Sequence, residues 1–125
     1  MKIDDKELLL RDLCGRLPYW VKCIVKTVWY IGVISSIESQ YGIATFDNGR
    51  QEEICDIKPC LYPLSSMTKE QRKEYYAMVK YNITSNDNAK LMDWLNKNHF
   101  DYRGLIARCL AIDATGLNIY KEETK

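Results

Sequence analysis

The segment His99-Phe100-Asp101-Tyr102-Arg103-Gly104-Leu105-Ile106 gathers the only histidine of the chain, two aromatic rings, a carboxylate and a guanidinium into eight consecutive residues. Each has a chemistry to offer. Arg103 presents a planar fork of donors that matches phosphate or carboxylate. Phe100 and Tyr102 offer faces on which a base or another ring can stack. His99 changes charge near neutral pH when unperturbed. The same residues also make an ordinary helix-to-loop junction. On that reading a helix ends near Asn98, Phe100 anchors the loop in the core, and Asp101 caps the following turn or pairs with Arg103. Gly104 eases the backbone through the turn. We take the junction as the first description and the ligand site His99, Phe100, Asp101, Tyr102, Arg103 and Gly104 as the alternative.

A second group is spread along the first half. Trp20, Trp29, Tyr30 and Tyr41 would form a stacking platform if they shared one rim of a sheet, with Lys22, Lys26 and Arg50 supplying phosphate contacts. Alternation of core and surface residues on strands explains the same pattern and is preferred.

Catalytic patterns are otherwise missing. Ser35, Ser36, Ser65 and Ser66 have no G-x-S-x-G context, and a single histidine restricts any nucleophile–base pair to His99. No phosphate loop, dinucleotide fingerprint or HExxH occurs. The five cysteines, Cys14, Cys23, Cys55, Cys60 and Cys109, form no CxxC pair. An odd count without tight pairs reads as buried reduced thiols rather than a disulfide framework or a metal site. No metal and no cofactor are expected, and no enzyme.

The elements that must carry these residues follow from patterning. Acids open a helix over 4–16, with Leu9, Leu10, Leu13 and Leu17 on one face and Gly15 and Pro18 closing it. A β-rich part over 19–62 contains four or five short antiparallel strands, with Asp47-Asn48-Gly49 as a hairpin turn. A strand over 51–61 ends at Pro59 or Pro63. A helical part over 68–118 begins at the capping box Thr68-Lys69-Glu70-Gln71, with Tyr75, Tyr76 and Val79 placed to pack. A polar break over 81–88 precedes a second helix over 89–98 with the stripe Leu91, Trp94, Leu95. Leu105 to Ala114 suits a third, buried helix. The charged tail, Lys121 to Lys125, is expected to fray. The fold class is α+β in one domain over 1–125: an N-terminal helix, a small antiparallel SH3- or Sm-like barrel or curled sheet, and two or three C-terminal helices.

At 125 residues, 46% apolar and 28% charged, the chain has the composition of a globular domain. A formal net charge of +1 gives no global pull toward nucleic acid or anionic membrane. No apolar run reaches transmembrane length, and residues 1–20 lack the pattern of a signal peptide, so a cytoplasmic location is expected.

Three blocks resemble a known family. They are Leu9-Leu10-Arg11-Asp12-Leu13-Cys14-Gly15-Arg16-Leu17-Pro18-Tyr19, Lys58-Pro59-Cys60-Leu61-Tyr62-Pro63-Leu64-Ser65-Ser66-Met67-Thr68, and the segment from His99 to Ile106. They look like a small protein family of phages, prophages and gut bacteria of the Bacteroidales type. Trp20 stands where that family often has glycine, Tyr62 where it has arginine, and Ala107-Arg108 where it has Pro-Met. The resemblance implies a mobile-element context in a bacterial host cytoplasm and supplies no mechanism.

An accessory protein without a catalytic set acts by occupancy. The first expectation is a module that binds or inhibits a host protein. The second is a homo-oligomer that sequesters a host nucleotide signal and so counters host defence. The third is a nucleic-acid-binding barrel, which the net charge disfavours. Under the second, Arg103→Ala should abolish nucleotide binding while leaving the fold intact, read by calorimetry and circular dichroism on one preparation. An unfolded variant would mark the segment as structural.

Overall fold

A computed structural model describes residues 2–120; the tail over 121–125 lies outside the described residues. The first helix, α1, spans Ile3–Arg16, with Asp4 and Asp5 in its first turn. A single 3-10 turn over Leu17–Tyr19, started by Pro18, hands the chain to the sheet. Gly15 is accommodated inside the helix rather than ending it. Five strands follow: β1 Lys22–Val25, β2 Tyr30–Glu38, β3 Ile43–Phe46, β4 Gln51–Glu53 and β5 Ile57–Pro63. Two long helices, α2 Lys69–Lys80 and α3 Ser85–Lys97, and two short strands, β6 Phe100–Asp101 and β7 Ile112–Asp113, complete the described chain.

The sheet runs β4-β3-β2-β1-β5-β6, with β7 also paired to β5. Neighbours are antiparallel from β4 to β5, whereas β6 and β7 lie parallel to β5. It curls without closing into a barrel. One cause of the curl is a bulge in β2 between Ile34 and Ser36, where Ser35 reaches across to the carbonyls of Thr45 and Phe46. The β3–β4 hairpin turns where expected: Gly49 takes φ +91° and the Asn48 carboxamide accepts the Arg50 N–H at 2.9 Å.

Pro59 does not end a strand; it sits inside β5, opposite Cys23. The ladder explains why it is tolerated. Lys26 N–H donates to the Asp56 carbonyl at 2.9 Å, so antiparallel alternation puts Ile24 and Lys58 in the next hydrogen-bonded pair. Cys23 and Pro59 are then a non-bonded pair, and the missing N–H of Pro59 costs the ladder nothing. The parallel partners of β5 begin only at Cys60.

Strands β1 and β5 are covered on both faces. Cys23, Val25, Ile57 and Leu61 point toward Leu9 and Leu13 of α1. Ile24 and Cys60 point the other way, toward Ala114, Ile112 and Tyr120 of the C-terminal segment. A third cluster, Met67, Leu91, Leu95 and Phe100, joins α3 to β6. The aromatic series Tyr75, Trp94 and Phe100, with ring centroids 6.3 and 5.7 Å apart, carries that cluster out to α2.

The helical part departs from the sequence reading in three places. The third helix does not form. Residues 105–110 make one turn, closed by Cys109 at φ +62°, with Leu110 N–H on the Leu105 carbonyl and Cys109 N–H on that of Ile106. This is a Schellman closure, with Leu105 and Leu110 both in the core as its apolar contact. Helix α3 starts at Ser85, earlier than expected, because Thr84 and Asp87 form a second capping box. In α2 the Thr68–Gln71 box is present, but only Tyr75 of the three packing candidates turns inward; Tyr76 and Val79 are exposed.

The cysteines divide as well: Cys23 and Cys60 are buried, Cys55 is intermediate, and Cys14 and Cys109 are exposed, all of them free.

One charged pair lies within the apolar stripe of α1. Asp12 and Arg16 are completely buried and paired at 2.7 Å. Arg16 also donates to the Phe100 carbonyl at 2.7 Å, tying α1 to β6 across the molecule. Removing Asp12 would strand the guanidinium in the core. Asp12→Ala should therefore cost about 3–5 kcal/mol of unfolding free energy, measured by urea denaturation with an unchanged m-value.

Candidate functional site

The structure separates the residues of 99–104 by role. His99 follows α3 and takes a left-handed backbone, φ +61°. Its amide donates to the Asn96 carbonyl, and its own carbonyl accepts Tyr62 N–H at 2.8 Å. Phe100 is buried in the α3 cluster. The Asp101 carboxylate accepts the N–H groups of Leu105 and Ile106, each at 2.9 Å, and so organises the following turn. Gly104 supplies φ +76° in that turn. Tyr102 donates to the Asn96 carboxamide at 2.8 Å. Its ring lies 5.1 Å from the guanidinium carbons of both Arg16 and Arg103. Arg103 pairs with Asp12 at 3.2 Å. Asp101 to Gly104 thus brace the junction, and Arg103 faces α1.

His99 and Phe100 do line a cleft. It has a volume of about 630 Å³ and opens between the C-terminal segment and the start of α2. Tyr62, His99 and Tyr120 give it aromatic walls, and Lys97 stands at its rim. No carboxylate belongs to its lining among the described residues. Several polar groups there are already engaged. Thr68 and Gln71 cap α2, the Ser66 hydroxyl donates to the Pro63 carbonyl, and the Asn98 amide donates to that of Trp94. Lys97 and Asn118 have no partner among the described residues, which leaves an ammonium and a carboxamide to receive a ligand.

The aromatic wall is held from behind. The His99 and Tyr120 rings stack at 3.7 Å with 14° between their planes. The Tyr120 hydroxyl accepts Lys22 N–H at 2.7 Å and donates to the Lys22 carbonyl, while the Lys22 ammonium donates to the Ile119 carbonyl. This anchoring occupies Lys22, one of the cations expected to meet phosphate. Burial raises the Tyr120 phenol far above its usual range. It also pushes the His99 imidazole down to about 4, with the nearby Arg16 and Lys22 cations acting in the same direction. His99 is accordingly neutral at physiological pH. Its Nδ1 is shut off from solvent with no partner among the described residues.

The platform of the first half is not assembled. Trp20 precedes β1 and Trp29 closes the β1–β2 hairpin at the other end of that strand, both strongly exposed and with left-handed backbone. Tyr30 lies near Trp29, its ring packed edge-on to Phe46 and folded over Gly32, where a Cβ would come within 2.7 Å of it. Tyr41 sits in the β2–β3 turn. Arg50 is paired with Glu52.

Sequence reading missed the buried pair and the cleft. The pair had a signal: Leu9, Asp12, Leu13 and Arg16 follow the i, i+3, i+4, i+7 spacing of a core-facing stripe. The cleft had none, because its walls come from residues as distant as Tyr62 and Tyr120. Among the described residues no three His, Cys, Asp or Glu side chains converge as a metal site, and no helix is long and apolar enough to cross a membrane. No family model, curated protein or solved structure matches the chain.

The lowered His99 pKa fixes a pH dependence. Between about 4 and 6.5 the unfolded chain binds a proton at this histidine that the folded chain refuses. Stability should therefore rise with pH through that window, by up to about 1.4 kcal/mol per unit, and be lost as pH falls through it. Denaturation at a series of pH values checks this. His99→Asn, which tolerates left-handed backbone, should flatten the contribution.

Proposed function

We propose that this chain is a non-enzymatic binding protein whose cleft holds a small organic anion carrying a flat ring, of the nucleotide class. The cleft carries the reading. Its volume lies within the range of small-molecule sites. Aromatic walls suit a base, and a lysine that has no partner among the described residues, in a lining to which those residues contribute no carboxylate, suits a phosphate. Of the expectations drawn from the sequence, this favours sequestration of a nucleotide signal, with Lys97 rather than Arg103 as the cation. The neutral, tightly stacked His99 supports binding over acid–base catalysis, since a base with so low a pKa is weak at neutral pH. The phage or prophage setting rests on the resemblance of the three sequence blocks.

Titration calorimetry with nucleoside monophosphates and cyclic dinucleotides, beside the matching nucleosides, tests the proposal. Saturable binding that requires the phosphate is expected. Lys97→Glu should weaken it about tenfold or more, equivalent to about 1.4 kcal/mol, while Arg103→Ala should leave it nearly unchanged and lower stability instead. Absence of binding across the panel, or binding indifferent to Lys97→Glu, would overturn the assignment.

A further inference from the structure

From Thr68 to Lys90 no residue is buried, although the stretch contains all of α2 and the start of α3. Its inward contacts are made by half-buried side chains such as Tyr75 and Met78. Outward, Tyr76 and Tyr81 are each 63% exposed, Val79 45% and Ile83 83%. Four large apolar groups within eight residues are thus left in water.

The charges on α2 are sorted by face. At ~100° per residue, Lys69, Arg72, Lys73, Val79 and Lys80 all fall within about 60° of Tyr76. Glu70 and Glu74 lie ~120° or more away from it. None of the four cations forms an ion pair among the described residues. Sorting of this kind works against the isolated helix. Lys69 and Lys73 are like charges at i, i+4, and so are Glu70 and Glu74; exchanging one from each pair would make favourable contacts. A helix that needed only solvent would gain from interspersed signs.

We infer that the outward face of α2, together with Ile83 of the loop that follows it, docks an acidic amphipathic segment of a protein partner. The four cations supply the complement to acidic side chains, and Tyr76, Val79 and Ile83 supply apolar anchors. A symmetric pairing of this face with itself does not fit, because it would set four cations against four. Single-stranded nucleic acid would use the cations and the tyrosine rings but leave the aliphatic Val79 and Ile83 without a role. The face is separate from the cleft and stands independently of the ligand proposed there.

The test uses the intact chain and three labelled probes: a short amphipathic helix of Glu and Leu, the same helix with Lys for Glu, and an oligothymidine. Fluorescence anisotropy should show binding of the acidic helix, weakened by salt, and none of the basic one. Amide shift changes should concentrate between residues 69 and 83. Lys73→Glu with Lys80→Glu should weaken binding about tenfold or more, with the helical circular dichroism retained because both side chains are exposed. Tyr76→Ala provides an uncharged check and should weaken it too. The inference is overturned if the acidic helix does not bind, if its shifts map elsewhere, if the double reversal is without effect, or if oligothymidine binds more tightly.

Discussion

A single buried guanidinium ties the first helix of this molecule to the last strand on the sheet path. Arg16 leaves α1, is neutralised by Asp12, and donates to the Phe100 carbonyl on the last strand of the sheet path. Because Arg16 and Asp12 are wholly buried, they form a geometric constraint more than a source of stability: such a pair roughly offsets its own desolvation when intact and is costly when broken. The constraint propagates. It fixes β6 beside β5, aims the Asp101 carboxylate at the next turn, and leaves His99 facing the cleft. Arg103 joins the Asp12 carboxylate at its other oxygen, and both guanidinium groups border Tyr102. Residues that look on paper like a ligand site are largely employed in keeping one junction in place.

What could be read from the sequence was local. The Thr68–Gln71 capping box, the Asn48-Gly49 turn and the leucine stripe of α1 are set by residues within a few positions of each other, and all appear where expected. The misjudged features depend on choices without a short-range signature. Cys109 takes the left-handed position where glycine is usual, so a short apolar run becomes one closed turn instead of a helix. Asp87 fills the reciprocal role usually held by Glu or Gln, which hid the start of α3 inside an apparent polar break. Pro59 is harmless only because of its register against Cys23.

The candidate site was legible only in part, for a related reason. His99 and Phe100 do line the cleft, and Lys97 lies two residues before them, but Tyr62, Asn118 and Tyr120 come from separate stretches whose meeting depends on the parallel pairing of β6 and β7 with β5. Long-range pairing of that kind is the least local property of a sheet. The same pairing sets the two candidate surfaces apart: the cleft is built on the sheet and its C-terminal covering, while the α2 face stands on the thinly buried helical arm.

The two buried thiols show how the layers are stacked. Cys23 and Cys60 occupy adjacent strands but opposite faces, the first beneath α1 and the second beneath the C-terminal segment. Burial raises both thiols, Cys60 to about 11 and Cys23 well above its usual range, so neither presents much thiolate while covered. Each is therefore a built-in reporter of a different opening event. A thiol-specific reagent would modify Cys14 and Cys109 directly and the half-buried Cys55 more slowly, Cys60 when the C-terminal covering lifts, and Cys23 only when α1 leaves the sheet. The order in which the modified peptides appear would reveal which layer detaches first, without any residue being introduced for the purpose.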